Sequence, residues 1–315
     1  MRKLVVVVVL SLIVFVIHQL SYVDESVLAG QLSESLSIIT SCPPDALEPL
    51  VSLPPITDSR IPDTVHQLWK TTNIEDYSTE IKPSRVAWQT MFEPLNYTVK
   101  LWTDDDILKL VKDKYSWLLP TYLGYPHNIQ RADIARMLIV HAEGGIYADL
   151  DVYPSSAEHI QCLQHLGMQA IFPPTGGTLG LSNHFFMAEH GSPFLQWVLY
   201  EAKRRGHGLA LRRIVLPYLQ VFWSTGPIML TAALRKYAWL YDTLRDDIGL
   251  LDEGYSGAVI RHAAGRSWQG VDGRALNYIA DHVQMDVILH ATACLFIVLG
   301  LIYVVRRYYG RCPTI

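Results

Sequence analysis

Residues 128–152 read NIQRADIARMLIVHAEGGIYADLDV and constrain the fold of this chain more than any other stretch. Ile129, Ala132, Ala135 and Ile139 recur at helical spacing and suit a core-facing stripe, while Asp133 and Arg136, three apart, share a face. Asn128 suits the N-cap, and Gly144 with Gly145 can stop the helix with a left-handed residue. Residues 146–152 then read as a buried strand. Along it, Ile146, Ala148 and Leu150 alternate into one layer, and Asp149 and Asp151 project together on the other side. A helix that carries an acid and a base is thus delivered straight into an acidic pair.

Two carboxylates two residues apart repel each other. A divalent cation removes that repulsion, and hard cations take oxygen ligands while keeping positions open for substrate phosphates. The pair is therefore expected to help hold a metal that carries a diphosphate. Taken alone, Asp-x-Asp at a strand end suits two turn formers bonding nearby amides better than it suits a metal; the capped helix and the buried strand around it reverse that order in favour of the metal site. A phosphohydrolase D-x-D-x-[TV] strand is a rival reading, but Tyr153 stands where Thr or Val is required.

The rest of the chain says where such a site would sit. Half of the residues are hydrophobic (50%), above the usual range for a soluble protein. The excess lies at the ends. Residues 4–17 form an apolar run behind Arg2 and Lys3, expected as an uncleaved signal anchor within a 1–23 segment; a signal peptide cleaved after Val27, Leu28 and Ala29 is the alternative. Residues 287–305 form a second apolar run, interrupted by His290 and followed by Arg306, Arg307 and Arg311 in a 306–315 tail. Basic residues outside both runs place both termini in the cytosol and everything between in a lumen. A buried C-terminal core helix is the alternative for the second run. The sequon Asn96-Tyr97-Thr98 agrees with a lumenal middle. Cys42 and Cys162 would be lumenal and able to pair, Cys294 would lie in the membrane, and Cys312 is a candidate acylation site.

Residues 24–60 are rich in Ser and Pro and read as a stem. A domain follows over residues 61–282. Strand patterns at 64–69, 97–102 and 146–152 alternate with helical patterns at 106–114 and 128–143, which argues for an α/β layer architecture. Asp104, Asp105 and Asp106 suit a first helical turn better than a metal. Neither a P-loop nor a dinucleotide fingerprint is present, and a net charge of -4 offers no basic field for nucleic acid.

Several blocks together, IPDTVHQLWKT, LWTDDD, the 128–152 segment, LSNHFFMAEHGSPFL and STGP, resemble the DXD-containing glycosyltransferases of family 32, most closely the fungal-type inositol phosphoceramide mannosyltransferases. The resemblance covers residues 61–268. It implies an α/β domain of GT-A type with a Rossmann-like mixed sheet, flanked here by transmembrane helices. It also implies a nucleotide-sugar donor such as GDP-mannose, Mn2+ or Mg2+, retention at the anomeric carbon, a lipid acceptor of inositol phosphoceramide type and a membrane regulatory subunit. A Golgi or ER membrane is the expected location. UDP-galactose as donor, N-glycan mannosylation and an inactive scaffold or sugar-binding subunit are the alternatives.

Carried onto this chain, Asp149 and Asp151 match the residues that bind ribose, sugar and metal, with Asp151 expected on the metal directly. Asp133 and Arg136 match a helix pair that contacts the donor sugar. Trp69 matches the aromatic that packs on the nucleotide base, with His66 beside it. In the HAAGRSW segment, His262 matches a late metal ligand and Ser267 and Trp268 match phosphate contacts. Asn183 aligns with a polar position near the sugar. Core packing for Trp69 and His66, an exposed loop for His262 and a turn for Asn183 are the competing readings.

Overall fold

The computed structural model describes residues 10–11, 14–15, 18–19, 36–43, 61–73, 81–175, 180–206, 209–241, 247–263 and 270–282. The chain divides into a unit reaching Trp268 and a second from Gln269. The strands are β1 (Ser37–Ile39), β2 (Thr64–Leu68), β3 (Thr98–Trp102), β4 (Gly145–Ala148), β5 (Val152–Pro154), β6 (Ala170–Phe172), β7 (Phe185–Ala188), β8 (Ile248–Leu251) and β9 (Ile260–His262). The helices are α1 (Ile81–Phe92), α2 (Asp104–Lys114), α3 (Leu119–Gly124), α4 (Asn128–Glu143), α5 (Ala157–His165), α6 (Pro193–Gly206), α7 (Leu209–Arg213), α8 (Pro217–Ser224), α9 (Pro227–Leu240) and α10 (Glu253–Val259), with α11 (Val271–His282) in the second unit.

Seven strands form one mixed sheet in the order β1-β8-β6-β7-β4-β2-β3. β7 runs antiparallel to β4 and β6, and the other pairings are parallel. Strand alternation divides the core. Tyr147 and Phe186 join the apolar layer made with α4, α6 and α9, whereas Ile146 and Ala148 join the layer that includes Trp88, Phe92 and Ile160 from α1 and α5. The α/β layering expected from the sequence is present. No helix among the described residues is long and apolar enough to cross a membrane, and residues 287–305 lie outside the described residues.

Local signals act as read except at the start of α4, where His127 and not Asn128 is the N-cap, its N–H donating to Gln130 Oε1 at 3.1 Å. Thr103 caps α2: its hydroxyl accepts the Asp106 N–H at 3.3 Å and its own N–H donates to Asp106 Oδ2 at 2.9 Å, so the acidic run serves the helix start. α4 stops at Gly144 and Gly145, with φ of +69° and +102°. A Cβ on Gly145 would sit 2.5 Å from the Thr64 carbonyl oxygen, so close packing on β2 requires glycine as much as the turn does.

Three boundaries differ from the sequence reading. The strand expected over residues 146–152 breaks at Ala148, where its ladder with β7 ends; a turn closed by Val152 N–H to Asp149 O at 3.0 Å follows, and β5 leaves to pair with β9. Asp149 and Asp151 therefore flank a turn instead of sharing a strand face. Part of the expected stem, Ser37–Ile39, is the sheet's edge strand on β8, and Cys42 is disulfide-bonded to Cys162 of α5. The helix at Val271–His282, expected within one 61–282 domain, belongs to the second unit. The Asn96 side chain is exposed on a turn with φ 64°, the left-handed conformation Asn tolerates.

Two buried polar groups set expectations for stability. His66 is fully enclosed. Trp102 Nε1–H donates to its Nδ1 at 3.1 Å, so its Nε2–H faces the Gly144 carbonyl at 2.8 Å. Burial pushes its pKa down to about 4, against the opposing pull of that carbonyl and Glu143. The unfolded chain then binds more protons between about pH 6.5 and 4, so stability is complete above that window and falls through it, by about 3 kcal/mol at its lower end. Urea unfolding of the chain in detergent should show this slope, and His66→Gln should reduce it by one proton's worth. Glu201, 4% exposed, accepts from buried Arg205 Nε at 2.8 Å and from the more exposed Arg204 and Lys236. Burial opposes its ionisation, but the three cations hold its carboxyl well below the usual range. Glu201→Ala strands the Arg205 charge and should cost about 3–5 kcal/mol, with Arg205→Met in the same chain recovering most of the loss in thermal unfolding.

Candidate active site

The candidate residues collect at one edge of the sheet. Trp69 follows the C-terminal end of β2, and its N–H donates to the Trp102 carbonyl at the end of β3, at 2.9 Å. Asp149 follows the C-terminal end of β4. Because β7 is antiparallel, its start lies beside that end, with Ala148 opposite Phe185, and Asp149 N–H donates to the His184 carbonyl at 2.8 Å. Asn183 and His184 thereby join the edge from a loop. The ribbon of β5 and β9 adds the last member: Val152 opposes His262, and His262 Nε2 lies 3.4 Å from Asp151 Oδ2. Crevices at the carboxyl ends of strands in open α/β sheets are the usual place for a ligand.

Arg136 is the centre of charge. Its Nη1 donates to Asp149 Oδ2 at 3.0 Å and to the Asn183 carbonyl at 2.9 Å, and its Nη2 lies 3.3 Å from Asp133 Oδ1. Asp133 also accepts from Asn183 Nδ2 at 3.0 Å and from Thr225 Oγ1 at 2.8 Å. Tyr147 donates to Asp149 Oδ1 at 2.8 Å. The side chains of Asp133 and Arg136 are each 6% exposed, whereas those of Asp149 and Asp151 are 25% and 18% exposed. Burial pushes the Asp149 carboxyl up to about 6, with Arg136 opposing and Asp151 adding to the rise. Burial raises Asp133 too, against Arg136, Thr225 and Asn183. For Arg136 burial alone would lower the pKa, but Asp149, Tyr147 and Asp133 outweigh it and hold the guanidinium charged. One guanidinium therefore faces Asp133, Asp149 and Asp151, and the edge carries excess negative charge.

Asp133 and Arg136 are thus engaged with each other and with their neighbours, so they position Asp149 and Asn183 instead of offering free polar atoms at the rim. His66 has both ring nitrogens occupied inside the sheet and contributes by orienting Trp102. Trp69 is half-buried beside Lys70, whose Nζ lies 5.7 Å from its ring centre. Ser267 and Trp268 lie outside the described residues.

Three members were not anticipated from the sequence. Tyr147 sits two residues before Asp149, a spacing that points to it in retrospect. Thr225 lies in the STGP turn, where only its type hints at a role. His184 stacks on His262 with ring centres 4.3 Å apart and planes 7° apart, and Ser182 Oγ lies 2.5 Å from its Nδ1. Burial, then His262 and Arg136, push its pKa down to about 3, which keeps it neutral.

A polar stripe fixes α4 against α8. His127 Nε2 meets Gln220 Oε1 at 3.0 Å, Gln130 Nε2 donates to Ser224 Oγ at 2.7 Å, and Asp133 accepts from Thr225. His127, Gln130, Asp133 and Arg136 are three apart, so each neighbours the next along a row that winds about α4 and carries the register from α8 to Arg136.

The expected metal fits the donors present. Asp151 and His262 bring a carboxylate oxygen and an imidazole nitrogen together beside a charge excess, donor types that Mn2+ and Mg2+ sites use together with substrate phosphates. Among the described residues, no three His, Cys, Asp or Glu side chains converge on a metal position.

Residues 61–171 match the family model of the glycosyltransferase sugar-binding region containing the DXD motif. Inositol phosphoceramide mannosyltransferase 1 of Schizosaccharomyces pombe is 30% identical over 80% of this chain and 76% of its own length. Mannosyl phosphorylinositol ceramide synthase SUR1 of Saccharomyces cerevisiae is 25% identical over 88% of this chain and 66% of its own length. Among solved structures, the PaToxG glycosyltransferase aligns with 56% of this chain and 70% of its own at 18% identity and a TM-score of 0.41. A DXD sugar-binding region at the sheet edge and this extent of identity make the lineage plain: the chain is a glycosyltransferase of the DXD-containing family that includes the inositol phosphoceramide mannosyltransferases.

Proposed function

We propose that the chain is a membrane-attached, retaining hexosyltransferase that moves mannose from GDP-mannose onto inositol phosphoceramide or a closely related inositol-bearing sphingolipid. The observation that carries the reading is the edge where Arg136 holds Asp149 while Asp151 meets His262. The similarity to sphingolipid mannosyltransferases supports the acceptor and the sugar. The disulfide between Cys42 and Cys162 supports an oxidising lumen, consistent with a Golgi membrane.

On this reading the seven-stranded sheet is the Rossmann-like sheet of a GT-A domain. Trp69 packs on the guanine, Asp149 takes the ribose, Asn183 lines the sugar side, and Ser267 and Trp268 contact the diphosphate. Asp151 and His262 would hold Mn2+ or Mg2+, which supplies Lewis acidity toward the departing nucleoside diphosphate. The protein's own contribution is positioning and fixed charge. Arg136 and Tyr147 hold the two oxygens of Asp149 in one orientation, and Asn183 is oriented by Asp133. Asp133 and Asp149 accept protein donors on both oxygens, so neither is presented as a nucleophile; this supports front-face displacement with retention.

Chain purified in detergent should consume GDP-mannose in a Mn2+-dependent way and transfer mannose to inositol phosphoceramide. Asp151→Ala should lower kcat by on the order of a thousandfold while the thermal unfolding midpoint stays near that of the parent. Metal-independent turnover, or full turnover in that variant, would sink the assignment. Preference for UDP-galactose would move the donor while leaving the transferase reading in place.

A further inference from the structure

Gln19 follows the apolar run of residues 4–17 closely and is buried against the folded domain, 3% exposed. Its amide grips one stretch of backbone. Nε2–H donates to the Arg213 carbonyl at 3.1 Å, and Val215 N–H donates to Oε1 at 3.0 Å. This two-point bond fixes the end of the apolar run to the loop between α7 and α8. Before it, Leu10, Val14 and Phe15 lie on a helix and are exposed.

We propose that this loop with the helix ends beside it, residues 212–217, is the surface by which the domain rests on an anionic lipid bilayer. The inference rests on the membrane attachment proposed above and adds which face of the domain meets the lipid. Arg212 and Arg213 point outward, and Val215 is 59% exposed, while Leu211, Ile214 and Leu219 turn inward. Cations with an apolar side chain among them are what an anionic headgroup layer attracts. α9, which packs on α8, ends in exposed Trp239, Leu240 and Tyr241, and Trp and Tyr are the side chains that settle at headgroup depth.

The same loop is tied to the donor edge by consecutive hydrogen bonds. Gln220 donates through Nε2 to the Ile214 carbonyl at 2.6 Å and meets His127 through Oε1. Ser224 and Thr225 continue the connection to Gln130 and Asp133. A lipid headgroup at the loop would therefore stand at a fixed distance from Arg136 and the acidic pair.

The test uses the full chain in vesicles of phosphatidylcholine and phosphatidylinositol, with Cys294→Ser and Cys312→Ser and a spin label on Val215→Cys. Val86→Cys, exposed on α1 and packed against the opposite face of the sheet, is the reference. Oxygen, which concentrates in the bilayer, should relax the Val215 label more than a water-soluble nickel chelate does, and the Val86 label should show the reverse. Equal access of the chelate to both labels overturns the proposal. In parallel, Arg212→Glu with Arg213→Glu should raise the apparent KM for lipid acceptor in vesicles ~10-fold, with GDP-mannose hydrolysis in detergent unchanged; an unchanged acceptor KM counts against it. Label depth needs no turnover, so a chain without transferase activity would sink the functional reading and still decide whether the loop docks.

Discussion

Arg136 lies between Asp133 and Asp149 where almost no water reaches, and the arrangement of the donor edge depends on that guanidinium. Burying such a group is costly unless opposite charge and further hydrogen bonds surround it. Here the compensation comes from four parts of the chain. Asp133 comes from the same helix, Asp149 from the end of β4, the Asn183 carbonyl from the approach to β7, and Thr225 enters through Asp133 from the end of α8. A shift of any one of them would leave a buried charge short of partners, so satisfying Arg136 and shaping the site are the same requirement.

The local part of this arrangement was legible in the sequence. The helix from Asn128, the double-glycine stop and the capping role of the acids after Thr103 are each encoded within a few residues, and the structure contains them. What was not legible depends on partners far away in sequence. The strand after Gly145 ends at Ala148 because β7 stops pairing there, and nothing within residues 146–152 announces it. Ser37–Ile39 becomes a strand only because β8, two hundred residues later, offers an edge. For His66 the sequence left a donor contact and core packing both open; strand alternation turns it inward to Trp102 and Gly144.

Topology explains how late parts of the chain reach an early motif. A purely parallel sheet would have put the segment before β7 at the opposite edge, far from Asp149. Reversing β7 places Asn183 and His184 beside the end of β4. The turn at Asp149 has a matching effect, since it releases β5 to pair with β9 and so brings His262 to Asp151. The departure from a continuous strand is therefore what brings these two side chains together. It also separates two carboxylates that a strand would have aimed in one direction, leaving Asp149 to Arg136 and Asp151 to His262.

That separation divides the edge by depth. Asp133, Arg136, Asn183, Tyr147 and Thr225 engage one another, and their bonds determine where the rim residues stand. Asp151, His262 and Trp69 are more exposed and sit where a ligand would meet them. Stacking on a neutral His184 adds a further constraint: the lower ring limits where the upper one can turn without contributing a charge of its own. A protonated ring beneath His262 would repel a cation at Asp151. Desolvation of His184 beside Arg136 thus keeps this part of the edge receptive to positive charge, while the carboxylates around Arg136 supply the attraction.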